Sequence, residues 1–267
     1  MSGRGSALDR FRAAGLLLPT MATLCALAIL LGLGTWQWNR KAWKEDLVAT
    51  IAARSAAAPL DASAFAKLTC APVEDVGFGK ACDYASVQLT GTFDHANERH
   101  IYTGIDKPAG GGVGGQGFWI MTPFRVAGSG LVIAVNRGFV PETNKEPVSR
   151  AQGQATGETT FTGLIRSAEP RAAFTGANDP ARNIWYLRNP AELFAAPGQV
   201  RIERSSVYLD LSSPPPAGGL PQPTAGRINI PNRHLEYALT WWALAATLLG
   251  VFGAFALGRL RAATVPG

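Results

Sequence analysis

Histidine and cysteine are scarce in this chain, with three of each among 267 residues. The sequence also lacks a G-x-x-x-x-G-K-[ST] phosphate loop, a G-x-S-x-G nucleophile elbow and an H-E-x-x-H metal helix. A glycine-rich stretch at 110–117 has neither the preceding strand nor the following helix that a dinucleotide-binding motif needs. No pair of carboxylates is set apart from the general acidic background. These absences argue against hydrolase, transferase and oxidoreductase chemistry, so we expect no enzyme activity and no catalytic residue.

Long runs of one charge are missing as well. Residues 40–233 carry 20 basic and 17 acidic side chains, a surplus of 3, and contain no lysine or arginine block. A nucleic-acid-binding domain would show a basic stripe and a pI above about 9. The pattern indicates a solvated surface, and we expect no nucleic-acid partner.

Charge is wholly absent from two apolar runs, at 13–39 and 237–258. A helix rising about 1.5 Å per residue needs about 20 apolar residues to cross a hydrocarbon core about 30 Å thick. Tryptophans at positions 36 and 38 follow the first run, and Trp241 and Trp242 lie near the start of the second, as in an interfacial aromatic belt. The sequence therefore predicts two transmembrane helices.

The first run has an alternative interpretation as a cleavable signal peptide with Arg4, Arg10 and Arg12 as its basic region. We favour an uncleaved anchor, because the apolar part of a signal peptide is only about 7–15 residues long. Basic residues in short flanks stay on the cytoplasmic side. In the absence of a long transit peptide, we expect a bacterial inner-membrane protein with these segments: a cytoplasmic tail (1–12), a transmembrane helix (13–36), a periplasmic domain (37–233), a second transmembrane helix (234–258) and a cytoplasmic tail (259–267).

The middle of the chain is predicted to be rich in strands. Runs of Val, Ile, Thr, Phe and Tyr alternate with Gly/Pro clusters, and a Gly-Ser-Gly break at 128–130 indicates a hairpin. We expect an α+β membrane protein whose two transmembrane helices flank a β-rich, antiparallel, barrel-like extracytoplasmic domain. Its strands are predicted at 84–93, 99–103, 118–126, 131–140, 159–167 and 206–211.

Helical and connecting segments complete the prediction. Apolar residues at three-to-four spacing, among them Trp43, Leu47 and Ile51, indicate that the first membrane helix continues outward until Pro59 ends it. A short helix at 190–196 would be capped by Asn189. Two Gly/Pro-rich stretches are interpreted as connectors: a loop at 106–116 and a semi-rigid spacer at 214–223 that returns the chain to the membrane.

Two cysteines, Cys70 and Cys82, bracket a loop of 11 residues in the part placed outside. A disulfide there would be stable in an oxidising compartment and would stabilise the fold by about 3 kcal/mol. Free thiols and metal ligation are the alternatives, although the spacing matches no zinc motif.

The remaining candidate residues are histidines. His234 lies at the outer end of the second apolar run, where an ionisable side chain is a functional hypothesis by default and an imidazole can ligate haem iron. Tyr237 and Trp241 lie near the same helical face and would flank a porphyrin edge. Alternatively, His234 merely caps the helix together with Asn232. His95 and His100 are interpreted as solvated turn residues.

Four separated stretches resemble the Surfeit locus protein 1 (Shy) family. These are LGTWQWNRKAWKEDL at 33–47, GQGFWIMTPF at 115–124, VNRGFVP at 135–141 and NRHLEYALTWWALA at 232–245. The third stretch has Phe139 where the family usually has Trp. The order and spacing of the four, together with the two-helix topology, extend the resemblance over nearly the whole chain.

The resemblance implies an assembly factor for haem-copper terminal oxidases, mainly cytochrome c oxidase, that helps haem a enter subunit I. It implies His234 as an axial ligand of haem a, with Trp36, Gln37 and Arg40 nearby at the outer end of the first helix. Arg40 would pair with a haem propionate or simply extend to the membrane surface. The expected partners are oxidase subunit I, membrane lipid and possible contacts to haem a synthase and copper-insertion factors.

Two alternatives to this function remain open. The protein could scaffold subunit I without binding haem, or it could be a membrane-anchored enzyme with an outer active site. The residues Asn136, Arg137 and Gly138 are interpreted as the end of a strand entering a turn, with either a structural role or a docking role toward the oxidase.

Overall fold

The computed structural model describes residues 11–12, 14–70, 82–107, 111–225 and 232–262. The chain divides into a helical unit, Met1–Ala49 with Ile230–Gly267, and a β-rich unit, Thr50–Asn229. In chain order the helices and strands are α1 (Leu17–Ala56), α2 (Ala62–Lys67), β1 (Ser86–Phe93), β2 (Arg99–Ile105), β3 (Gly115–Val126), β4 (Val132–Pro141), β5 (Thr159–Ser167), α3 (Pro190–Leu193), β6 (Val207–Ser213) and α4 (His234–Ala262).

Helices α1 and α4 are both long and apolar enough to cross a membrane. Their 40 and 29 residues correspond to lengths of about 60 Å and about 43 Å, more than the roughly 30 Å of a hydrocarbon core. Large apolar side chains such as Leu18, Met21, Ile29 and Val251 are exposed on their surfaces. Exposed apolar surface of this extent suits lipid contact better than water. Helix α1 also continues to Ala56, as the spacing of its apolar residues predicts.

All six predicted strands are present in the β-rich unit, and β5 has the predicted bounds. Strand β3 begins three residues earlier than predicted, at Gly115. The Gly-Ser-Gly break forms the turn between β3 and β4, with Gly128 and Gly130 at positive φ. Helix α3 begins at Pro190, and the side chain of Asn189 accepts a hydrogen bond from the Ala191 amide. Period-2 patterning and turn chemistry therefore locate these elements correctly.

The strands form one six-stranded sheet in the order β1-β5-β6-β4-β3-β2. Strands β4 and β6 are parallel, through the pairs Val135–Leu209 and Asn136–Asp210, so the prediction of a wholly antiparallel sheet is wrong at this pair. The apolar pattern of a strand identifies its faces but not the direction of its partner. Strand β1 also pairs with β3. Hydrogen bonding therefore runs from β1 through β5, β6, β4 and β3 back to β1. The barrel-like shape stays a prediction that this return favours.

Strand β4 is buried on both faces, because two apolar clusters cover it. Ile133 and Val135 belong to a cluster that includes Phe65 of α2 and the inner faces of β1, β5 and β6. Val132 and Ala134 belong to a second cluster on the opposite face, as the two-residue period of a strand requires. The segment between β5 and β6 supplies much of that second cover, with Trp185, Leu193, Phe194 and Ile202.

A disulfide joins Cys70 and Cys82, and the loop between them lies outside the described residues. In the segment just before this loop, the carbonyls of Phe65, Ala66 and Leu68 accept hydrogen bonds from Arg204. These carbonyls lie at the end of α2, where intrahelical donors run out. The arginine thus fixes the segment that carries Cys70 against the sheet.

The stretch at 214–223 is not the predicted spacer. The backbone of Gln222 exchanges two hydrogen bonds of 2.8 Å with Phe139 in β4, and its side-chain oxygen accepts from the Val113 amide. The segment therefore packs on the sheet as part of the β-rich unit. Of the predicted loop at 106–116, residues 108–110 lie outside the described residues, and Gly115 and Gln116 already belong to β3.

Candidate functional site

Two of the predicted site residues meet between the helices of the helical unit. Nδ1 of His234, at the first residue of α4, lies 2.6 Å from Oε1 of Gln37 in α1. The two residues are 197 positions apart in the chain. The His234–Gln37 pair is half-buried, so it is fixed by packing while one side of it stays accessible.

The contact determines which imidazole nitrogen carries the proton. An amide oxygen only accepts hydrogen bonds, so Nδ1 must be the donor. In a neutral ring Nε2 then keeps its lone pair, and within the described part of the chain it has no hydrogen-bond partner. An imidazole held by its N–H and offering the other nitrogen is the usual arrangement of a metal-ligating histidine.

Aromatic packing next to this pair holds the two helices together. The ring centroids of Trp38 and Trp242 lie 5.9 Å apart. A Cβ placed on Gly34 would lie 2.3 Å from Nε1 of Trp242, so the absence of a side chain at Gly34 lets the indole lie against α1. Ala238 and Ala245 are buried on the same helix as Trp242. Small residues allow close approach of membrane helices.

The other end of the helix pair is closed by Arg259. Its Nε donates to the carbonyl of Ala14, at 3.2 Å, near the start of α1. Since His234 begins α4 and contacts α1 twenty positions after Leu17, the two helices are antiparallel. The His234–Gln37 pair therefore lies at the opposite end of the helix pair from Arg259.

The other predicted site residues make no hydrogen bond, ion pair or ring contact with His234 among the described residues. The guanidinium carbon of Arg40, one turn beyond Gln37, lies 3.8 Å from the ring centroid of Trp43, which leaves its N–H edges outward. Trp36 and Tyr237 are exposed, by 57% and 53%, and Trp241 is half-buried.

Sequence reasoning missed the role of Gly34, Trp38 and Trp242 in forming the site. The two tryptophans were interpreted only as belt residues. The available signal was a glycine, Gly34, in an apolar run four residues before Trp38. Small residues mark the contact faces of membrane helices.

The VNRGFVP stretch lies within the sheet, and a docking role toward the oxidase stays a prediction. Asn136 and Arg137 lie inside β4 and are almost fully buried, contrary to the prediction that they end a strand and enter a turn. Asn136 donates to Oδ1 of Asp210 across the parallel pair, at 2.8 Å. Gly138 has φ +129°, and a Cβ there would lie 2.2 Å from the carbonyl oxygen of Gln222. Only glycine fits there.

The prediction of solvated histidines in the β-rich unit is wrong. His100 is buried and contacts Oε1 of Glu98 at 2.8 Å, and Arg150 forms a buried ion pair with the same carboxylate. Burial alone would raise the pKa of Glu98, but the bonds from His100 and Arg150 outweigh it and lower the pKa to about 2. The partners lie up to 52 residues apart, so sequence spacing could not indicate this network.

His95 is half-buried and belongs to an adjoining group. Its Nε2 lies 2.9 Å from the carbonyl of Ala155, and its Nδ1 lies 3.2 Å from Nη1 of Arg137. Burial lowers the pKa of His95, which keeps the ring neutral and able to accept from the guanidinium. Across the described ranges, no group of three His, Cys, Asp or Glu side chains could hold a metal ion. A haem ligand is a different case, because a single nitrogen suffices.

Comparison with known proteins gives a consistent result. The chain matches the model of the SURF1 family over residues 24–246. It is 34% identical over 223 residues to Surfeit locus protein 1 of Rattus norvegicus, which covers 80% of this chain and 68% of the relative. It is 32% identical over 224 residues to Surfeit locus protein 1 of Homo sapiens (80% and 70% covered). A SURF1-like protein of Monosiga brevicollis is 34% identical over 244 residues, with 86% and 85% covered.

Proposed function

The chain belongs to the SURF1 family, and on that premise we propose that it is an assembly factor for a haem-copper terminal oxidase that presents haem a to subunit I. The single observation that carries this proposal is the 2.6 Å contact between Nδ1 of His234 and Oε1 of Gln37. Both residues fall in stretches that resemble the family, and the contact orients a histidine as a ligand.

The residues present fit such a group. His234 offers Nε2 as a lone-pair donor, and its ring is held in place by Gln37. Exposed Trp36 and Tyr237 supply aromatic surface beside it, and Arg40 keeps its N–H edges free to pair with a carboxylate such as a propionate. Bound haem a would supply an iron centre that accepts one protein nitrogen.

A single histidine suits transfer better than a closed two-ligand site. With His234 as the one protein ligand, bound haem a would supply an iron centre that could still take a ligand from the acceptor. Gln37 holds His234 in one orientation, so Nε2 would be positioned to hold the group. Subunit I is therefore the proposed partner, with haem a synthase on the supply side.

The proposed location is the bacterial inner membrane, with α1 and α4 as the two spans, both termini in the cytoplasm and the β-rich unit in the periplasm. Two candidate spans support a membrane protein, and the basic residues in the short flanks support the orientation. The disulfide between Cys70 and Cys82 agrees with an oxidising compartment. We assign no catalytic residue and propose no enzyme activity.

The experiment uses cells that lack this protein and are supplied with the wild type, His234→Ala or Thr240→Ala. Thr240 is exposed on α4, and its hydroxyl bonds only the carbonyl of Glu236 in its own helix, so it serves as the matched control. We expect the haem a content per subunit I to fall at least fivefold with His234→Ala and to stay normal with Thr240→Ala. Equal haem a content in all three would contradict haem delivery and favour a scaffold that acts only by contact with subunit I.

A further inference from the structure

Arg137 is a buried arginine whose donors are only partly used. Of its five N–H groups, two on Nη1 donate to His95 and Gln154, at 3.2 and 2.9 Å, and one on Nη2 donates to the carbonyl of Gly153. Within the part of the chain that the structure describes, its Nε has no hydrogen-bond partner, and neither has the amide nitrogen of Gln154. Nε–H and one hydrogen on Nη2 therefore have no acceptor among the described residues, on a guanidinium, the kind of group that bonds carboxylates through two N–H groups.

Among the described residues, the charge of Arg137 also lacks an adjacent anion. None of the ion pairs among the described residues includes it. Glu98 acts on it from a distance but is already bonded to Arg150 and His100. Burial lowers the pKa of Arg137 to about 10, so the side chain stays charged at neutral pH. A buried charge without a counter-ion is destabilising unless another charged group compensates it.

A cavity of about 230 Å³ lies against this arginine, several times the roughly 30 Å³ that one water molecule takes up. Its walls are mostly apolar and include Phe93, Phe161 and Leu211, with three consecutive prolines, 214–216, on one side. The ring centroid of Phe93 lies 5.0 Å from the guanidinium carbon of Arg137. Apolar walls around one buried cation favour an anion with an apolar body over a hydrated inorganic ion.

We propose that this cavity binds a small monocarboxylate with an apolar body. The carboxylate pairs with the guanidinium of Arg137, and the body packs between Phe93, Phe161 and the prolines. The site lies wholly within the β-rich unit and uses none of the residues proposed to hold haem a.

Isothermal titration of the full-length protein in detergent tests this proposal, with benzoate as the probe. Benzamide, which has the same shape without the charge, and inorganic phosphate are the comparison ligands. Arg137→Gln removes the cation, and Ala217→Trp narrows the exposed rim of the cavity without touching the arginine. Arg201→Gln, at an exposed arginine outside the cavity, is the matched control.

We expect saturable binding of one benzoate per chain. Benzamide and phosphate should each bind at least tenfold more weakly. Arg137→Gln and Ala217→Trp should each weaken benzoate at least tenfold, and Arg201→Gln should change it less than twofold. If Arg137→Gln loses its near-ultraviolet circular dichroism, Ala217→Trp and the benzamide comparison decide the question alone. Absence of saturable benzoate binding, equal binding of benzamide or phosphate, or unchanged binding in Ala217→Trp would each overturn the proposal.

Discussion

Gln37 accepts a hydrogen bond of 2.6 Å from Nδ1 of His234 and so connects two helices whose residues lie 197 positions apart. The bond fixes the imidazole tautomer, because an amide oxygen cannot donate. The orientation of the candidate haem ligand is thus decided by a residue on the other helix. This dependence makes Gln37 the first residue to vary.

Substitution of Gln37 should alter haem affinity without abolishing it. Gln37→Leu removes the acceptor for Nδ1–H, and loss of such an outer partner weakens metal binding roughly 10–100-fold. Gln37→Glu places a carboxylate there, which increases the basicity of the ligand and should lower the reduction potential of the bound haem. Haem titration and a redox titration of each variant measure these effects. Wild-type affinity in Gln37→Leu would contradict the orienting role.

The contact between Gly34 and Trp242 predicts a difference between two glycines of the same helix. A Cβ at Gly34 would lie 2.3 Å from Nε1 of Trp242, whereas a Cβ at Gly32 would meet nothing within 4 Å. Gly34→Ala should therefore destabilise the helix pair by about 1–3 kcal/mol through overpacking, and Gly32→Ala should be neutral or slightly stabilising. Thermal unfolding in detergent, followed by circular dichroism at 222 nm, compares the two. Equal melting temperatures would contradict this packing.

Gly138 should be intolerant of any side chain. Gly138→Ala places a Cβ 2.2 Å from the carbonyl oxygen of Gln222, in addition to the strain of a positive φ. Gly157 has φ +82° with nothing within 4 Å, so Gly157→Ala isolates the backbone strain, about 1–2 kcal/mol. In denaturant unfolding, we expect Gly138→Ala to lower the free energy of unfolding by at least about 2 kcal/mol more than Gly157→Ala does, because of the added clash. Similar losses in both variants would show that the segment at Gln222 can move away.

The Glu98 network predicts a loss of stability in acid. The pKa of Glu98 is about 2 in the folded protein, against an ordinary value of 4.5. The carboxylate therefore contributes stability above pH 4.5, and this contribution of about 3 kcal/mol is lost as the pH falls toward 2. Glu169 also has a lowered pKa and adds to the same trend.

Denaturant unfolding of wild type, Glu98→Gln and Glu158→Gln between pH 6 and 2.5 measures this contribution. Glu98→Gln should be less stable at pH 6, because it leaves Arg150 buried without its anion, and its stability should depend less steeply on pH. The exposed Glu158 serves as the control and should retain the wild-type slope. Parallel curves for wild type and Glu98→Gln would contradict the assignment.

Reduction of the disulfide should destabilise the β-rich unit selectively. The Cys70–Cys82 bridge closes a short loop, for which the chain-entropy contribution is about 3 kcal/mol. The third cysteine, Cys25, is free, so Cys25→Ser serves as the control and should respond to dithiothreitol as the wild type does. Cys70→Ser with Cys82→Ser should match the reduced protein in denaturant unfolding. No change on reduction would contradict a stabilising bridge.

The sequence predicts the helices and strands better than the way in which they pair and pack. The continuous apolar run at 132–135 identifies strand β4 and indicates a strand buried on both faces. The same argument should have placed Asn136 and Arg137 in the interior rather than at a turn. The direction of β6 relative to β4 depends on the path of the whole chain, so no local pattern reveals it.

The candidate site divides in a similar way. Family resemblance brings His234 and Gln37 to attention, but their contact and the resulting tautomer require the packing of two distant helices. The segment at 214–223 has the composition of a linker, yet Gln222 pairs with Phe139 through backbone groups that composition does not reveal. Buried networks such as Glu98 with Arg150 depend on long-range contacts and stay invisible to spacing rules.

The visible absorption spectrum of the purified protein tests the central claim most directly. Wild type and His234→Ala are co-expressed with haem a synthesis enzymes, purified in detergent and compared with Thr240→Ala. We predict a haem a band in wild type and Thr240→Ala and its loss in His234→Ala. The band should return when haem a and free imidazole are added to the purified His234→Ala protein. A wild type without haem, or a His234→Ala spectrum identical to the wild type, would contradict the account.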